Sequence, residues 1–494
     1  MRFKINTKNF IIEAICLLYI LLFVYAAVSK ILEFENFQAQ LGQSTILGAY
    51  AGIISYTVII IELLTSLMLS IPHFRLKGLY VSFGLMCLFT IYIFIILNFT
   101  TNIPCSCGGI LEKMTWKEHL VFNIIWVAMS VAALFLYSEM RRKTAFVMLG
   151  IFISAGFLVT VLNVTSQYLI HKENPFVRKF VHGSANKVLS VPLNNNRAYF
   201  AGNSKGIIYI ADRLAPLHIM AYDTTLKIRK YFKIQLDHED FPFRSVQVKI
   251  LGEYFFIMDG TVPVVYRGKI ADWKGEIIMK ESGYYFSKSV IIDSANIAFR
   301  TQNEKSGENE LGVFSFKKGL KSKLHTQLLQ KQIDGFFDTD GMMNYSPQNK
   351  IFTYLYYYRN EFIVTDEKLN LKFRANTIDT TIRAKLKPVY IKEIGRRKLG
   401  SPDYVVNKIS TLRNNHLFVN SKLRGKYEPK EMWNIASVVD VYDVAEKSYL
   451  SSFYIYNSGS LKMKDMLVAG NNVYIISGMD LQRYTLNRNL KIKP

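Results

Sequence analysis

Cysteine is scarce in this chain. There are four in 494 residues, and none in the 387 that follow Cys107 (494 − 107). The C-terminal two thirds therefore has no disulfide framework, and its stability must come from core packing. Other signatures are missing too. No Gly-rich phosphate loop and no nucleophile elbow occurs. No His/Cys/Asp/Glu set has metal-ligand spacing; His238, Glu239 and Asp240 are adjacent and read as a solvated loop. Beyond Val188 no long helical period is found. Acidic residues are the minority, 38 against 61 Lys and Arg, for a net charge of +23. The basic residues are scattered rather than clustered. That favours a basic face beside an anionic bilayer over nucleic-acid binding.

What is present is unevenly distributed. Residues 1–170 carry 11 Lys/Arg and 7 Asp/Glu among long apolar runs, whereas residues 171–494 carry the remaining 50 and 31. A spanning helix needs about 20 apolar residues. Five segments qualify: Phe10–Val28, Tyr50–Ile71, Leu79–Phe99, Leu120–Tyr137 and Ala145–Ile170. The first contains Glu13 and runs on through Tyr25-Ala26-Ala27, so it reads as a span and not as a cleaved signal peptide.

Lys and Arg in short loops set the orientation. Arg2, Lys4 and Lys8, then Arg75 and Lys77, then Arg141, Arg142 and Lys143 all fall on one side. The opposite loops mix Lys30 with Glu33 and Glu35, and Lys113 and Lys117 with Glu112 and Glu118. The expectation is a bacterial inner-membrane protein with five spans, a cytoplasmic N-terminus and a periplasmic C-terminal domain. Thr115-Trp116-Lys117-Glu118 fits a capping box at the start of the fourth span.

The loop before that span carries Cys105-Ser106-Cys107-Gly108-Gly109. Residues i and i+2 of an extended chain lie about 6.6–7 Å apart at Cα. Disulfides span about 4.4–6.8 Å, so a bond within the pair is strained and reducible. Gly108 and Gly109 give the backbone freedom so small a ring requires. A staple closing one intervening residue adds little chain entropy, so a redox-active dithiol is the favoured reading. A structural staple, two free thiols, or a metal site with His119 as extra ligand stay as alternatives. Cys105, farther from the fourth span, is the expected attacking thiol. His119 could assist thiolate formation or be an ordinary interfacial residue. Glu62, mid-span, is either a functional carboxylate or a hydrogen-bonded packing residue. Cys16 and Cys87 read as buried apolar side chains.

Three stretches carry a family likeness: Tyr25-Ala26-Ala27-Val28-Ser29-Lys30-Ile31-Leu32 with Phe34 and Phe37, Ile61-Glu62-Leu63-Leu64, and Pro104-Cys105-Ser106-Cys107-Gly108-Gly109. Over roughly residues 8–140 the chain resembles the DoxX-like proteins related to MauE, the methylamine-utilisation membrane protein. Many relatives have an aromatic residue and then Gly after the second Cys, which this chain lacks. The resemblance implies a four-helix, redox-associated membrane domain supporting thiol–disulfide chemistry on an exported protein. Its partner would be thioredoxin-like, or an exported cysteine-containing protein or peptide. A quinone in the bundle is the acceptor such chemistry would suggest, and no residue marks a site for one.

After a polar linker, residues 171–184, six β-rich runs recur. Their anchors are Tyr209, Phe255, Phe299, Phe352, Phe418 and Tyr474, spaced by 46, 44, 53, 66 and 56 residues. Several are followed by a second run with Asp in a turn, as at Asp223, Asp366 and Asp443. Units of about 45–55 residues are the size of a four-stranded propeller blade. The expectation is an all-β domain over 185–494, a six-bladed β-propeller closed by an early strand at Val188–Val191; a β-sandwich is the alternative. Two readings of function follow. One is thiol–disulfide exchange with the propeller as docking platform. The other is a non-enzymatic scaffold, or a subunit of a larger envelope complex, with a structural cysteine pair.

Overall fold

A computed structural model describes residues 7–44, 46–47, 50–99, 114–170, 175–181, 183–238, 240–280, 283–391, 396–400 and 404–487. The chain forms two compact units: residues 1–172 with 385–404, and residues 173–384 with 405–494.

The first unit holds α1 (Thr7–Leu32), α2 (Phe34–Gln43), α3 (Ala51–Ser70), α4 (Arg75–Phe99), α5 (Trp116–Tyr137) and α6 (Arg141–Ile170). All but α2 are long and apolar enough to cross a membrane. One face of α1 is buried through Ile12, Cys16, Tyr19 and Phe23, a helical repeat, while Leu17 and Leu21 on the other face are exposed. That stripe packs with Leu79, Phe83, Met86 and Cys87 of α4 and with Ala133 and Leu134 of α5. The Tyr19 hydroxyl donates to the Trp126 carbonyl at 2.5 Å, so its one polar atom is satisfied inside the bundle. Helix α2 has no long apolar run, but Phe37 and Leu41 bury one face against Ala27, Ala51 and Ile59.

A short hairpin, Pro388–Ile391 paired with Arg396–Leu399, leaves the β-rich part of the chain and packs on α2. The single stretch 185–494 expected for the propeller is thus interrupted: residues 385–404 belong with the helices.

The second unit contains four four-stranded antiparallel sheets and one nine-stranded sheet, whose two antiparallel halves, sheets one and two below, are joined by a short parallel pairing of Gly202 and Asn203 with Ile250 and Leu251. Sheet one is Ala198–Ser204, Ile207–Asp212, His218–Asp223 and Arg229–Lys233. Sheet two is Gln247–Leu251, Tyr254–Asp259, Val264–Lys269 and Lys274–Met279, with Gln235–Leu236 added along its outer edge. Sheet three is Lys288–Asp293, Asn296–Gln302, Asn309–Ser315 and Lys321–His325. Sheet four is Gly341–Ser346, Ile351–Tyr356, Glu361–Thr365 and Leu371–Asn376. Sheet five is Asn407–Arg413, His416–Ser421, Ala436–Asp443 and Ser448–Tyr456, with the short helix α7 (Lys430–Ile435) before its third strand. Sheet six is Met463–Ala469, Asn472–Ser477 and Asp480–Leu486, completed by Ala185–Pro192.

The first strands of successive sheets neighbour one another, and the sixth returns to the first. This is a β-propeller, with an all-β core between radially arranged sheets. Closure comes from pairing Ala185–Pro192 with Asp480–Leu486, which removes an open edge. Every aromatic anchor lies on the second strand of a sheet, and each is buried. The Asp turns form as their sequence suggests. Asp223 accepts from the Thr225 and Ile228 amides, Asp366 from Lys368 and Asn370, and Asp443 from Ala445 and Glu446. The ring is tight enough to demand glycine at Gly202 (φ +146°), where a Cβ would sit 2.2 Å from the Ile250 carbonyl oxygen.

The segment read as a linker is, over Phe176–Phe180, part of the propeller. Arg178 is buried and pairs with Asp440 at 2.7 and 3.1 Å and with Glu428 at 2.6 Å. Phe180 stacks on Tyr454 with ring centroids 4.4 Å apart.

Candidate functional site

Cys105 and Cys107 lie outside the described residues, as do Gly108 and Gly109. Their loop is bounded by the end of α4 and by Thr115. The Thr115 hydroxyl accepts from the Glu118 amide at 3.4 Å, and the Glu118 carboxylate accepts from the Thr115 amide at 2.7 Å. The capping box therefore anchors the exit of the cysteine loop to the first turn of α5.

Polar side chains gather at the same end of the bundle. Lys30, near the C-terminal end of α1, reaches Glu62 of α3 at 2.7 and 3.0 Å. The Glu62 side chain is 1% exposed and that of Lys30 is 17% exposed. Glu62 lies 11 residues into α3, about 17 Å along the helix axis from its start. So α1 ends below the start of α3, and α2 fills the step. Phe37 of α2 places its ring 5.7 Å under the Lys30 ammonium. A carboxylate at this depth needs a partner, and Lys30 supplies it.

His119, in the first turn of α5, lies within electrostatic reach of Lys30 and stacks obliquely on Trp116, 6.1 Å between ring centroids. Its Nδ1 is buried and has no hydrogen-bond partner among the described residues. One turn deeper on the same helix face, Asn123 is 2% exposed, and its amide nitrogen is likewise unpartnered among them. The two weak sequence candidates, Glu62 and His119, thus share an environment around a lysine that sequence reading had assigned to a loop. Lys30 and Asn123 were missed. Lys30 is 32 residues from its partner, and the only signal for Asn123 is its i+4 spacing from His119.

Cys16 and Cys87 are buried free thiols, 2% and 1% exposed, consistent with an apolar role. Among the described residues no group of three or more His, Cys, Asp or Glu could hold a metal ion. His238 and Asp240 are exposed, 3.9 Å apart.

The propeller has its own concavity, a central funnel of about 790 Å³ where the first strands end. Lys249 lies in it, its ammonium donating to the Ser289 carbonyl. Burial pushes this lysine down to about 8 against a partial opposing pull from Asp465. Asp465 is pushed up by burial and accepts from the Phe200 and Met466 amides at 2.8 and 2.9 Å. A Lys205–Glu253 pair stands at the rim.

Residues 8–137 match the family model of the methylamine utilisation protein MauE. That is where the sequence resemblance was drawn. A search of curated proteins finds no match. Similar solved structures pair with the β-rich part. A luciferin-regenerating enzyme is 11% identical over 61% of this chain and 94% of its own, with a TM-score of 0.37. YCF48 bound to D1 peptide is 10% identical over 64% and 98%, with a TM-score of 0.34. The WD40 domain of SCAP from fission yeast is 10% identical over 64% and 99%, with a TM-score of 0.27. At these scores the propeller assignment rests on the sheet topology itself.

Proposed function

We propose that this MauE-type membrane segment, joined to a propeller, carries out thiol–disulfide exchange through Cys105 and Cys107 on the periplasmic side of a bacterial inner membrane. The observation that carries the reading is the Lys30–Glu62–His119 group at the bundle end where the Cys105–Cys107 loop enters α5. A nearby cation favours thiolate over thiol, and thiolate is the reacting species. Lys30 provides the cation, Glu62 holds it, and His119 offers a ring nitrogen able to take or return a proton.

The exchange is balanced. A partner thiolate attacks one sulfur of the Cys105–Cys107 disulfide, and a mixed disulfide forms as the other cysteine leaves as thiolate. The partner's second thiol then displaces the bound cysteine. One disulfide passes to the partner and one dithiol remains on this chain; the reverse sequence runs through the same mixed disulfide. The propeller serves as the docking platform, and its central funnel is the concave surface offered to a thioredoxin-like protein or an exported cysteine-containing peptide. Arg75 and Lys77 in the first turn of α4 and Arg141, Arg142 and Lys143 in the first turn of α6, at the other end of the bundle, support the assignment of side; the opposite, exported side is the one where a thiol pair can be held as a disulfide.

Trapping tests it. Removing the resolving thiol by Cys107→Ser should accumulate a mixed disulfide with an exported protein, visible as a reductant-sensitive mass increase. Cys105→Ser/Cys107→Ser should abolish the adduct. If neither single serine variant gives an adduct and the double variant keeps full cellular function, the exchange reading fails. The membrane-anchored propeller scaffold then takes its place.

A further inference from the structure

Several cations in the propeller sit beside a carboxylate. Arg178 pairs with Asp440 and Glu428, Arg300 and Lys288 with Asp340, and Arg359 and Arg374 with Glu361. One group does not. Lys408 is the second residue of the first strand of sheet five, Lys422 directly follows that sheet's second strand, and Lys462 directly precedes the first strand of sheet six. The Lys422 amide donates to the Val406 carbonyl at 2.9 Å, so Lys408 and Lys422 flank the same end of the sheet. The three side chains line one recess with Trp433, Asn420 and Ser437.

Their hydrogen bonds do not neutralise them. The Lys408 ammonium donates to the Met463 carbonyl at 3.3 Å and the Lys462 ammonium to the Trp433 carbonyl at 2.9 Å. The Lys422 ammonium has no hydrogen-bond or ion-pair partner among the described residues. The charges that act on Lys408 and Lys422 are other lysines: Lys462 and Lys464 on the first, Lys408 and Lys462 on the second. Glu428, six residues after Lys422, is committed to Arg178 and to the Trp433 indole N–H at 2.9 Å.

We infer that the recess bounded by Lys408, Lys422 and Lys462 is a binding site for a phosphate-type anion. Three ammonium groups converging without a carboxylate repel one another, and a bound anion turns that repulsion into attraction. Ammonium groups act as point charges with rotatable donors, which suits a tetrahedral phosphate better than a planar carboxylate, for which a guanidinium fork would be expected. The recess has a volume of only about 20 Å³, room for one water-sized group. The anion therefore inserts one oxygen and keeps the rest of its body at the mouth. That fits the phosphate of a larger molecule as well as a free ion. The two sources with this chemistry are an anionic lipid headgroup and soluble phosphate. The lysines' own state supports the site: burial and the neighbouring charges push Lys422 down to about 8, and Lys408 and Lys462 also lie below the ordinary lysine value. The inference is independent of the cysteine chemistry.

The test is amine acylation of the full chain in nanodiscs, read peptide by peptide by mass spectrometry, with exposed Lys227 as the internal reference. In discs of zwitterionic lipid, inorganic phosphate should slow acylation of Lys408, Lys422 and Lys462 several-fold relative to Lys227, and chloride of equal ionic strength should not. A second preparation uses discs containing phosphatidylglycerol and no phosphate. Protection there identifies the headgroup as occupant, and protection by added phosphate alone identifies a soluble anion. The Lys422→Ala/Lys462→Ala variant should lose the protection of Lys408 in whichever arm showed it. Equal acylation with phosphate, chloride and anionic lipid overturns the site, as does protection of Lys408 that survives the double substitution.

Discussion

Arg178→Met tests whether the stretch between the last membrane helix and the first propeller strand is part of the propeller. The Arg178 side chain is fully buried, gives two bonds to Asp440 and one to Glu428, and donates to the Leu423 carbonyl at 2.9 Å. Its guanidinium also lies 4.7 Å from the Phe176 ring centroid and 5.7 Å from that of Trp433. Methionine keeps most of the volume but strands two carboxylates, 3% and 5% exposed. Breaking a buried pair from one side costs about 3–5 kcal/mol. Unfolding entropy is about 2.1 cal/mol/K per residue near 60 °C, so the roughly 300-residue propeller should lose about 5–8 °C in Tm. The assay is thermal unfolding of the full chain followed by Trp273 and Trp433 fluorescence. Arg178→Met/Asp440→Asn/Glu428→Gln should recover part of the loss, because no charge is then left buried. A shift under about 1 °C in the single variant, against the several degrees expected for so buried a pair, would show that the segment is a passive tether.

Three further outcomes are expected. Lys30→Met or Glu62→Gln alone should each cost about 3–5 kcal/mol by leaving one unpaired group inside the bundle, and the double substitution should be milder than either; a double-mutant cycle on thermal stability in detergent reads this, and strict additivity would contradict it. Gly260→Ala should destabilise sheet two by about 3 kcal/mol or more, since its Cβ would fall 1.7 Å from the Phe286 carbonyl oxygen; an unchanged denaturation midpoint would contradict the packing. Propeller stability should rise with pH from about 8 towards 10, because Lys249 titrates near 8 when folded but near 10.5 when unfolded, so the unfolded chain binds more protons in that window; above 10 it should fall, as Tyr354 and Tyr442, held neutral by burial, ionise only on unfolding.

The parts of the fold legible in the sequence are those set by local pattern. Each of the six aromatic-anchored runs is a second strand because a sheet's interior strand is buried on both faces and reads as a continuous apolar run. The Asp turns announced the next strand, since an Asp side chain caps its own turn. Val188–Val191 was found as the closing strand because a propeller must hide its edge. What was missed depends on distance in the sequence. Helix α2 fell below the length threshold for a span, although Phe34, Phe37 and Leu41 already trace one helix face. Arg178 sat in a stretch read as polar, and its partners are about 250 residues away. The hairpin of 388–399 reads as one more β element; only its packing on α2 assigns it to the other unit. Lys408, Lys422 and Lys462 were three among fifty scattered basic residues until the turns of sheet five and the entry to sheet six brought them together. Glu62 was marked as costly from its depth alone, but Lys30 could not be named without the pairing of α1 with α3.

The central claim is that Cys105 and Cys107 cycle between dithiol and disulfide. The most direct measurement is a mass-shift assay on membranes, alkylating free thiols before and after reduction, in a Cys16→Ser/Cys87→Ser background that leaves only this pair. The account predicts that neither thiol is labelled in freshly isolated membranes, that both are labelled after mild reductant, and that removing the reductant restores the unlabelled state. Two thiols labelled without any reductant, or a bond that resists reduction in the folded protein, would contradict it.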